Sequence, residues 1–205
     1  MPPTFDHERM MLGQGHRLVA GVDEAGRGPL AGPIVAAAVI LDPDAVPEGV
    51  DDSKALKAAE RNAVFEAILA RAEVGIATVS AAEIDRINIR QATLLAMRRA
   101  VAALPRRPCV ALIDGNDPPQ LACATSAIIG GDALSLSIAA ASIVAKVFRD
   151  AMMARLEAAH PGYGFSAHKG YGTKAHLAAL SRLGPSAAHR KSFAPVRLSL
   201  EATLV

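Results

Sequence analysis

The sequence contains no tryptophan, and only two tyrosines and five phenylalanines among its 205 residues. With so few rings, the core must be built from small aliphatic side chains, and alanine alone supplies 43 residues. Two cysteines are too few for a disulfide scaffold. Charged residues make up 20% of the chain and aliphatic residues are abundant, which excludes intrinsic disorder. We expect one compact domain over residues 1–205.

Long apolar runs are also missing. The longest one, Pro29 to Leu41, contains two prolines and is too short to cross a bilayer. The first residues, MPPTFDHERM, lack the apolar segment of a signal peptide. Cys109 and Cys123 lack metal-ligand spacing, so we expect reduced, mostly buried thiols. These features predict a cytoplasmic protein without a membrane partner, and nothing in the sequence indicates a state other than a monomer.

Positive charge is concentrated near the C-terminus. The whole chain has a net charge of +2. Between Lys146 and Arg197, nine lysines and arginines accompany two acids, which gives +7 and leaves −5 for the rest. Five of the seven aromatic rings lie in the same stretch. Cations interleaved with rings are typical of a nucleic-acid surface, and the alternative is an ordinary solvated face.

Apolar periodicity predicts an α/β fold with a mixed β-sheet flanked by helices. The predicted strands are 18–22, 34–41, 74–79, 110–113 and 127–129, and the first two form an antiparallel hairpin. The predicted helices are 57–72, 81–104, 136–159 and 174–183. Small residues near the start of the longest helix are expected to let it pack close to the sheet: Ser135, Ser137, Ala140 and Ser142.

Three of the predicted strands end in a carboxylate or are closely followed by one. Asp23 and Glu24 follow the first strand, Asp114 ends the fourth and Asp132 comes after the fifth. Each of these acids alone is compatible with a solvated turn. Sites in α/β sheets assemble at strand ends, and carboxylates without Cys or His partners favour Mg²⁺ or Mn²⁺. Two such ions about 4 Å apart can activate a water and stabilise a leaving oxygen in phosphodiester hydrolysis.

Six segments, in this order along the chain, resemble ribonuclease HII: AGVDEAGRGPLAGP at 20–33, DSK at 52–54, IDGN at 113–116, GDALSLSIAAASIVAKVFRD at 131–150, YGFSAHKGYGT at 163–173 and HRKSFAP at 189–195. They are distributed from residue 20 to residue 195, so the resemblance extends over nearly the whole chain. The related ribonuclease HIII has an extra N-terminal domain, and from the 22 residues before Asp23 we expect no such domain here. The resemblance is therefore to ribonuclease HII.

The resemblance implies an RNase H-like fold with a C-terminal helical subregion. It also implies an endonuclease that hydrolyses the RNA strand of RNA/DNA hybrids and cuts at single ribonucleotides embedded in duplex DNA. The products would carry 5′-phosphate and 3′-hydroxyl ends. The four acids that bind two ions of Mn²⁺ or Mg²⁺ and carry catalysis in this family fall on Asp23, Glu24, Asp114 and Asp132.

The resemblance also assigns residues to the substrate, chiefly in a basic helical subregion over about 150–205. The turn Gly26-Arg27-Gly28 would read the ribose, since the 2′-hydroxyl distinguishes RNA from DNA and glycine lets the backbone approach closely. Tyr163 would pack against a deoxyribose, or alternatively cap the core. Four further residues are candidates for phosphate contacts, with a solvated surface role as the alternative: Lys54, His168, Lys169 and Arg190.

Two positions depart from the family pattern. Gly130 stands where the family usually has a lysine two residues before the fourth acid, and Ala55 replaces the second lysine of the usual DSKK. Both changes remove positive charge that would attract phosphate. Two other functions stay open on the sequence alone: a resolvase-like, structure-specific DNA nuclease with the RNase H fold, and a non-catalytic module that binds hybrids.

Overall fold

The structure is a computed structural model that describes residues 2–51, 53 and 55–202. In chain order its elements are α1 (Asp6–Gly13), β1 (Val19–Ala25), β2 (Ile34–Ile40), α2 (Ala58–Arg71), β3 (Glu73–Val79), α3 (Ala81–Ala102), β4 (Val110–Asp114), β5 (Ala124–Ile128), α4 (Leu136–Ala159), α5 (Phe165–His168), α6 (Lys174–Leu183) and α7 (Ala194–Ala202). A 3₁₀ turn, Gly131–Ala133, lies between β5 and α4. None of the helices in the described part of the chain combines the length and apolar character needed to cross a membrane.

The five strands form one mixed sheet in the order β3-β2-β1-β4-β5. β1 pairs antiparallel with β2, with Val22 opposite Ala38. β4 runs parallel to β1 on one side and to β5 on the other. The predicted hairpin and mixed sheet are therefore confirmed. Every residue of β2 is buried, as its unbroken run of Ile, Val and Ala predicts for a strand covered on both faces.

The chain divides into two compact units. The first contains the residues up to Ala25, Val35–Thr78 and Leu94–Val147, and it holds nearly all of the sheet. The second contains Gly26–Ile34, Val79–Thr93 and the residues from Phe148 onward. The basic subregion predicted over about 150–205 belongs to the second unit, where it is joined by two earlier segments of the chain.

In the first unit, the start of α4 lies directly against β1. A Cβ added to Gly21 would overlap the main chain of Ser137, so only glycine fits at this position of the strand. The four small residues expected to allow this close packing are all buried: Ser135, Ser137, Ala140 and Ser142. The surrounding apolar core is aliphatic, as the shortage of rings predicts: Val19, Val110, Leu112, Ile128 and Ile138.

The second unit concentrates rings in its core. Tyr163 and Phe165 stack with ring centroids 5.2 Å apart and an interplanar angle of 4°. The imidazole of His176 meets Phe165 edge-on at 5.5 Å, and that of His189 lies 5.4 Å from the same ring. Met153 completes this cluster. The five C-terminal aromatics are thus divided between the core of this unit and its surface, since Tyr171 is half exposed.

A chain of hydrogen bonds fixes two buried histidines in their neutral forms. The Nδ1–H of His176 donates to the carbonyl of Tyr171 at 2.9 Å, and the N–H of Ser186 donates to Nδ1 of His189 at 3.0 Å. Nε2 of His189 therefore donates to Nε2 of His176, 3.1 Å away. Burial lowers the pKa of His176, and burial followed by repulsion from His176 lowers the pKa of His189 to about 4.

We expect this histidine pair to weaken the fold in acid. Because the pKa of His189 is lower in the folded than in the unfolded state, unfolding takes up a proton, so the free energy of unfolding falls as the pH decreases from about 6.5 to about 4. The loss for His189 alone is about 3 kcal/mol. The free energy of unfolding, measured with urea between pH 4 and 8, should depend less on pH in His189→Gln than in the parent. His7→Gln, in the first unit, is the control, and an unchanged curve in His189→Gln would contradict the assignment.

Some local features differ from the predictions. The helix predicted over 81–104 is interrupted at Asn88, whose φ is 64°, and the Asn88 side chain accepts the N–H of Gln91 at 3.1 Å to cap the second half. The short helices α1, α5 and α7 have no predicted counterpart. The expectation of mostly buried thiols is wrong, because Cys109 is exposed and Cys123 is half-buried where β4 and β5 begin.

Candidate active site

Two adjacent parallel strands carry carboxylates at their C-terminal ends. Val22 of β1 lies opposite Ile113 of β4, so the next residues, Asp23 and Asp114, are neighbours across the sheet. Asp23 is 5% exposed, and the N–H of Glu24 donates to its Oδ1 at 2.6 Å. Burial raises the pKa of Asp23 well above that of an ordinary aspartate, and the charges of Glu24 and Asp114 raise it further.

The fourth predicted acid, Asp132, is held beside β4 by the backbone of the residue before it. The N–H of Gly131 donates to Oδ1 of Asp114 at 2.7 Å, and Asp132 follows in the 3₁₀ turn with 7% exposure. Gly130 precedes this turn with a φ of 67°, in the left-handed region where a side chain is disfavoured. The glycine that departs from the family pattern therefore suits the backbone on which Asp132 depends.

Two buried serines support Asp23. The side chain of Ser142 in α4 hydrogen-bonds to Asp23, which lowers the pKa of Asp23 and partly opposes the effect of burial. The Oγ atoms of Ser142 and Ser53 lie 2.8 Å apart. Ser53 is the middle residue of the DSK motif. The lysine of that motif, Lys54, lies outside the described residues, so its predicted phosphate contact stays a prediction.

Glu8 is a buried acid that sequence reasoning missed. Its Oε1 accepts the hydroxyl of Ser135 at 2.6 Å and the N–H of Ser137 at 2.8 Å. The N–H of Leu136 donates to the carbonyl of Thr4 at 3.0 Å. The N-terminal segment thus braces the chain that leads from Asp132 into α4. No signal in the sequence marks Glu8, which lies among other charged residues in the segment DHER at 6–9.

The chemistry of the acids fits a hard divalent cation. Carboxylate oxygens are the ligands that Mg²⁺ and Mn²⁺ prefer. Burial is the main cause of the raised pKa of Asp23, and repulsion from Glu24 and Asp114 adds to it; a bound cation would relieve that repulsion. As the side chains stand, no group of three or more His, Cys, Asp or Glu among residues 2–51, 53 and 55–202 is arranged to hold a metal ion. Cation binding is therefore expected to draw the carboxylates closer together.

The predicted ribose-reading turn, Gly26-Arg27-Gly28, belongs to the second unit and is held by Arg190. Nη2, Nη1 and Nε of Arg190 donate to the carbonyls of Gly26, Arg27 and Gly32 at 2.6, 2.8 and 3.0 Å. The Arg190 side chain is completely buried. This placement argues against the predicted phosphate contact of Arg190, because its donors are directed at main-chain carbonyls.

Tyr163 is buried in the core of the second unit. It is 8% exposed, and its hydroxyl donates to the carbonyl of Gly184 at 2.7 Å. This placement favours the alternative that Tyr163 caps the core. Nε2 of His168 donates to the carbonyl of Tyr163 at 2.8 Å, and Nζ of Lys169 donates to that of Ser166 at 2.7 Å. Direct phosphate contacts of His168 and Lys169 stay predictions.

Tyr171 is the exposed tyrosine of this region, and sequence reasoning missed it. Its side chain is 50% exposed, and Cε1 of the ring lies 3.6 Å from the position that a Cβ on Gly28 would take. Both tyrosines are flanked by glycines in the segment 162–172, so the sequence pattern alone does not distinguish them. The structure distinguishes them: Tyr163 is buried, whereas Tyr171 is half exposed and lies beside the Gly26-Arg27-Gly28 turn.

Comparison with known proteins identifies the family. The model of the family described as Ribonuclease HII matches residues 20–196. The chain belongs to the ribonuclease HII family. Ribonuclease HII of Parvibaculum lavamentivorans is 63% identical over 185 residues, which cover 90% of this chain and 69% of the relative. The relative from Azorhizobium caulinodans is 59% identical over 95% of this chain and 75% of its own length.

Solved structures agree with this fold. The ribonuclease H2 from Pyrococcus horikoshii OT3 has a TM-score of 0.77 at 25% identity, covering 90% of this chain and 98% of its own. Bst-RNase HIII, solved in complex with Mn²⁺, shares the fold with a TM-score of 0.70 at 21% identity, over 90% of this chain and 70% of its own. The predicted RNase H-like fold is confirmed.

Membership of the ribonuclease HII family establishes the activity. The chain is an endoribonuclease that hydrolyses the RNA strand of RNA/DNA hybrids, and its partner is nucleic acid. Ribonuclease HII chemistry depends on divalent metal, which agrees with the carboxylate-rich strand ends described above. The family match decides against the resolvase-like DNA nuclease and against the non-catalytic binding module.

Proposed function

We propose that Asp23, Glu24, Asp114 and Asp132 bind two divalent cations, Mn²⁺ or Mg²⁺, and form the catalytic centre for cleavage of the RNA strand. The observation that carries this proposal is the crowding of carboxylates where β1 and β4 end: burial raises the pKa of Asp23, and the charges of Glu24 and Asp114 raise it further. The Mn²⁺ complex of the structurally similar Bst-RNase HIII supports the choice of ions.

The chain's own contribution is to orient the carboxylates. When bound, the cations lower the pKa of water and stabilise negative charge on the leaving oxygen. The N–H of Glu24 and the side chain of Ser142 fix the Asp23 carboxylate. The N–H of Gly131 fixes Asp114. These hydrogen bonds reduce the reorganisation that cation binding requires, as outer-shell hydrogen bonds do in other metal sites.

The substrate side of the proposal concerns specificity. We propose that the Gly26-Arg27-Gly28 turn reads the ribose 2′-hydroxyl through its backbone and that Tyr171, beside Gly28, packs against the neighbouring sugar. The exposure of Tyr171 and its distance from Gly28 support this role. The enzyme would cut hybrids and single embedded ribonucleotides, leaving 5′-phosphate and 3′-hydroxyl ends. A monomeric state and a cytoplasmic location stay predictions.

The two tyrosines should respond differently to substitution. Tyr171→Ala is expected to raise KM for a ribonucleotide-containing duplex by about tenfold, because an aromatic contact with nucleic acid contributes about 1–3 kcal/mol, and to leave the melting temperature unchanged. Tyr163→Phe removes the hydrogen bond to Gly184 and should lower the free energy of unfolding by about 1 kcal/mol with little change in KM. Steady-state kinetics and thermal melts of both variants check this, and the reverse pattern would return the substrate role to Tyr163.

The proposed function is tested with three duplexes of one sequence: all-DNA, DNA with a single ribonucleotide, and an RNA/DNA hybrid. Each is incubated with Mn²⁺, Mg²⁺ or EDTA, and the ends of the products are identified by their sensitivity to phosphatase. We expect cleavage of the two ribonucleotide-containing duplexes with metal only, with phosphate on the 5′ ends. Equal cutting of the all-DNA duplex, or cutting in EDTA, would contradict the proposal.

A further inference from the structure

Two buried arginines, Arg149 and Arg190, hold the segment 26–33 of the second unit by hydrogen bonds to its carbonyls. Arg190 donates to three carbonyls of this segment, as described above. Arg149, which is 2% exposed, donates through Nη2 and Nε to the carbonyls of Ala31 and Pro33 at 3.3 and 3.1 Å, and through Nη1 to that of Lys169 at 3.0 Å. A Cβ added to Gly26 would overlap the Arg149 side chain. Five of the six guanidinium hydrogen bonds therefore end on this short segment.

These contacts decide which backbone groups of the turn point toward Arg190 and which point away from it. In a trans peptide the carbonyl of one residue and the N–H of the next point in opposite directions, and the described residues include no cis peptide bond. Because the carbonyls of Gly26 and Arg27 point at Arg190, the N–H groups of Arg27 and Gly28 point away from it. Two neighbouring N–H donors thus face one side of the turn.

We propose that Arg190 and Arg149 are positioning residues that set ribose specificity, by fixing the two N–H donors of the Gly26-Arg27-Gly28 turn for an oxygen of a ribonucleotide. The inference rests on the proposed function, in which this turn reads the 2′-hydroxyl. It assigns Arg190 a role different from a direct phosphate contact.

The energetics of the pair favour a functional role over a purely structural one. The hydrogen bonds described for the two guanidinium groups all end on neutral main-chain carbonyls, and the charges of Asp150 and Asp85 only partly oppose the lowering of the pKa values of Arg149 and Arg190 by burial. Burying a cation among neutral partners opposes folding, whereas burying apolar side chains of similar volume does not. Burial, and then repulsion from Arg149, lower the pKa of Arg190 to about 9, so it is charged at neutral pH. The positive charges of the two guanidinium groups also favour the binding of an anionic ligand to the turn.

The backbone around Arg190 is fixed independently of its side chain. Its N–H donates to the carbonyl of Leu30 at 2.8 Å. The carboxylate of Asp85 accepts the N–H groups of Lys191 and Ser192 at 2.9 and 2.8 Å. Substitution of the Arg190 side chain is therefore expected to release the carbonyls of the turn while the main chain of 190–192 stays in place.

The test compares Arg190→Lys, Arg190→Met and Arg149→Lys with the parent. Arg182→Lys, an exposed arginine of the same unit with one hydrogen bond to Gly162, is the matched control. Fluorescence anisotropy in EDTA gives the dissociation constants for a duplex with one ribonucleotide and for the all-DNA duplex. We expect the preference for the ribonucleotide to fall about tenfold in the Arg190 and Arg149 variants, with affinity for all-DNA retained. Arg182→Lys should keep the parental ratio of the two dissociation constants.

Each other result overturns the inference. An unchanged ratio with a lower melting temperature would show a structural role only. An equal loss of affinity for both duplexes, with a shallower salt dependence, would show a phosphate contact instead. A parent that cleaves but binds both duplexes equally would show that the turn does not sense the 2′-hydroxyl on binding. A parent that cleaves no ribonucleotide-containing duplex would instead contradict the proposed function itself.

A measurement on the parent protein tests the inference without requiring that any variant folds. In ¹H–¹⁵N spectra of a ¹⁵N-labelled sample in EDTA, the amide signals of Arg27 and Gly28 should shift more with the ribonucleotide-containing duplex than with the all-DNA duplex. Equal shifts with the two duplexes would overturn the inference even if every arginine variant were unfolded.

Discussion

Asp23→Asn is expected to reduce cleavage of a ribonucleotide-containing duplex by at least about 1,000-fold, because loss of a cation ligand removes several kcal/mol of transition-state stabilisation. Asp23 lies at the centre of the candidate site, with Glu24, Asp114 and Ser142 all acting on its carboxylate. The amide of asparagine has nearly the same shape but carries no charge. The measurement is single-turnover cleavage at saturating Mn²⁺.

The same substitution should make the protein more stable when metal is absent. Because the pKa of Asp23 is raised in the folded state, its contribution to the free energy of unfolding is fully present below the unfolded-state pKa. That contribution is lost as the pH rises through the raised folded-state pKa. At neutral pH, which lies above the unfolded-state pKa, the buried Asp23 carboxyl group therefore opposes folding, and asparagine removes this effect. Thermal melts in EDTA at pH 7 should show a higher melting temperature for the variant.

Asp44→Asn provides the matched control, since Asp44 is an exposed acid of the first unit. It should leave both cleavage and the melting temperature at parental values. Substantial cleavage by Asp23→Asn would exclude Asp23 as a necessary ligand. A lower melting temperature for Asp23→Asn in EDTA would show that the carboxylate is stabilised by contacts other than those described here.

Gly21→Ala is expected to lower the free energy of unfolding by about 3 kcal/mol or more, which is the upper part of the range for overpacked cores. The added methyl group would overlap the main chain of Ser137, which cannot turn aside as a side chain would. For a chain of this length the melting temperature should fall by about 6–12 °C. Separation of β1 from α4 would also shift Asp23, and a displacement of about 1 Å can reduce the rate about 100-fold.

Gly13→Ala is the matched control for this steric effect. Nothing lies within 4 Å of a Cβ added to Gly13, at the end of α1. Alanine in a helix is favoured over glycine by about 0.5–1 kcal/mol, so Gly13→Ala should be neutral or slightly stabilising, with full activity. If Gly21→Ala were as stable and active as the control, the close contact between β1 and α4 would be wrong.

The strands and long helices could be predicted because their signals are local. Apolar runs place β1 and β2 within a few residues of the observed bounds, and the helix predicted over 136–159 coincides with α4. The strand-end acids were also accessible, since parallel strands bring their ends together. The interruption at Asn88 and the short helices depend on capping and tertiary contacts, such as those of Glu8, which leave little periodic signal in the sequence.

The substrate-side residues were harder to predict because their roles depend on burial. Tyr163 and Tyr171 have nearly the same neighbours in the sequence, yet one stacks on Phe165 and the other is half exposed beside Gly28. Arg190 occupies a basic motif but donates to main-chain carbonyls far away in the sequence. A family resemblance gives the positions of such residues, whereas the structure shows which of them can reach a ligand.

The most direct test of the metal centre is anomalous diffraction from crystals of the protein with a cleaved duplex and Mn²⁺. We predict two anomalous peaks. The protein side chains closest to these peaks should be those of Asp23, Glu24, Asp114 and Asp132. Both peaks should weaken or disappear in crystals of Asp23→Asn grown in the same way. Peaks at other residues, or unchanged peaks in the variant, would contradict the central claim that these four acids form the catalytic centre.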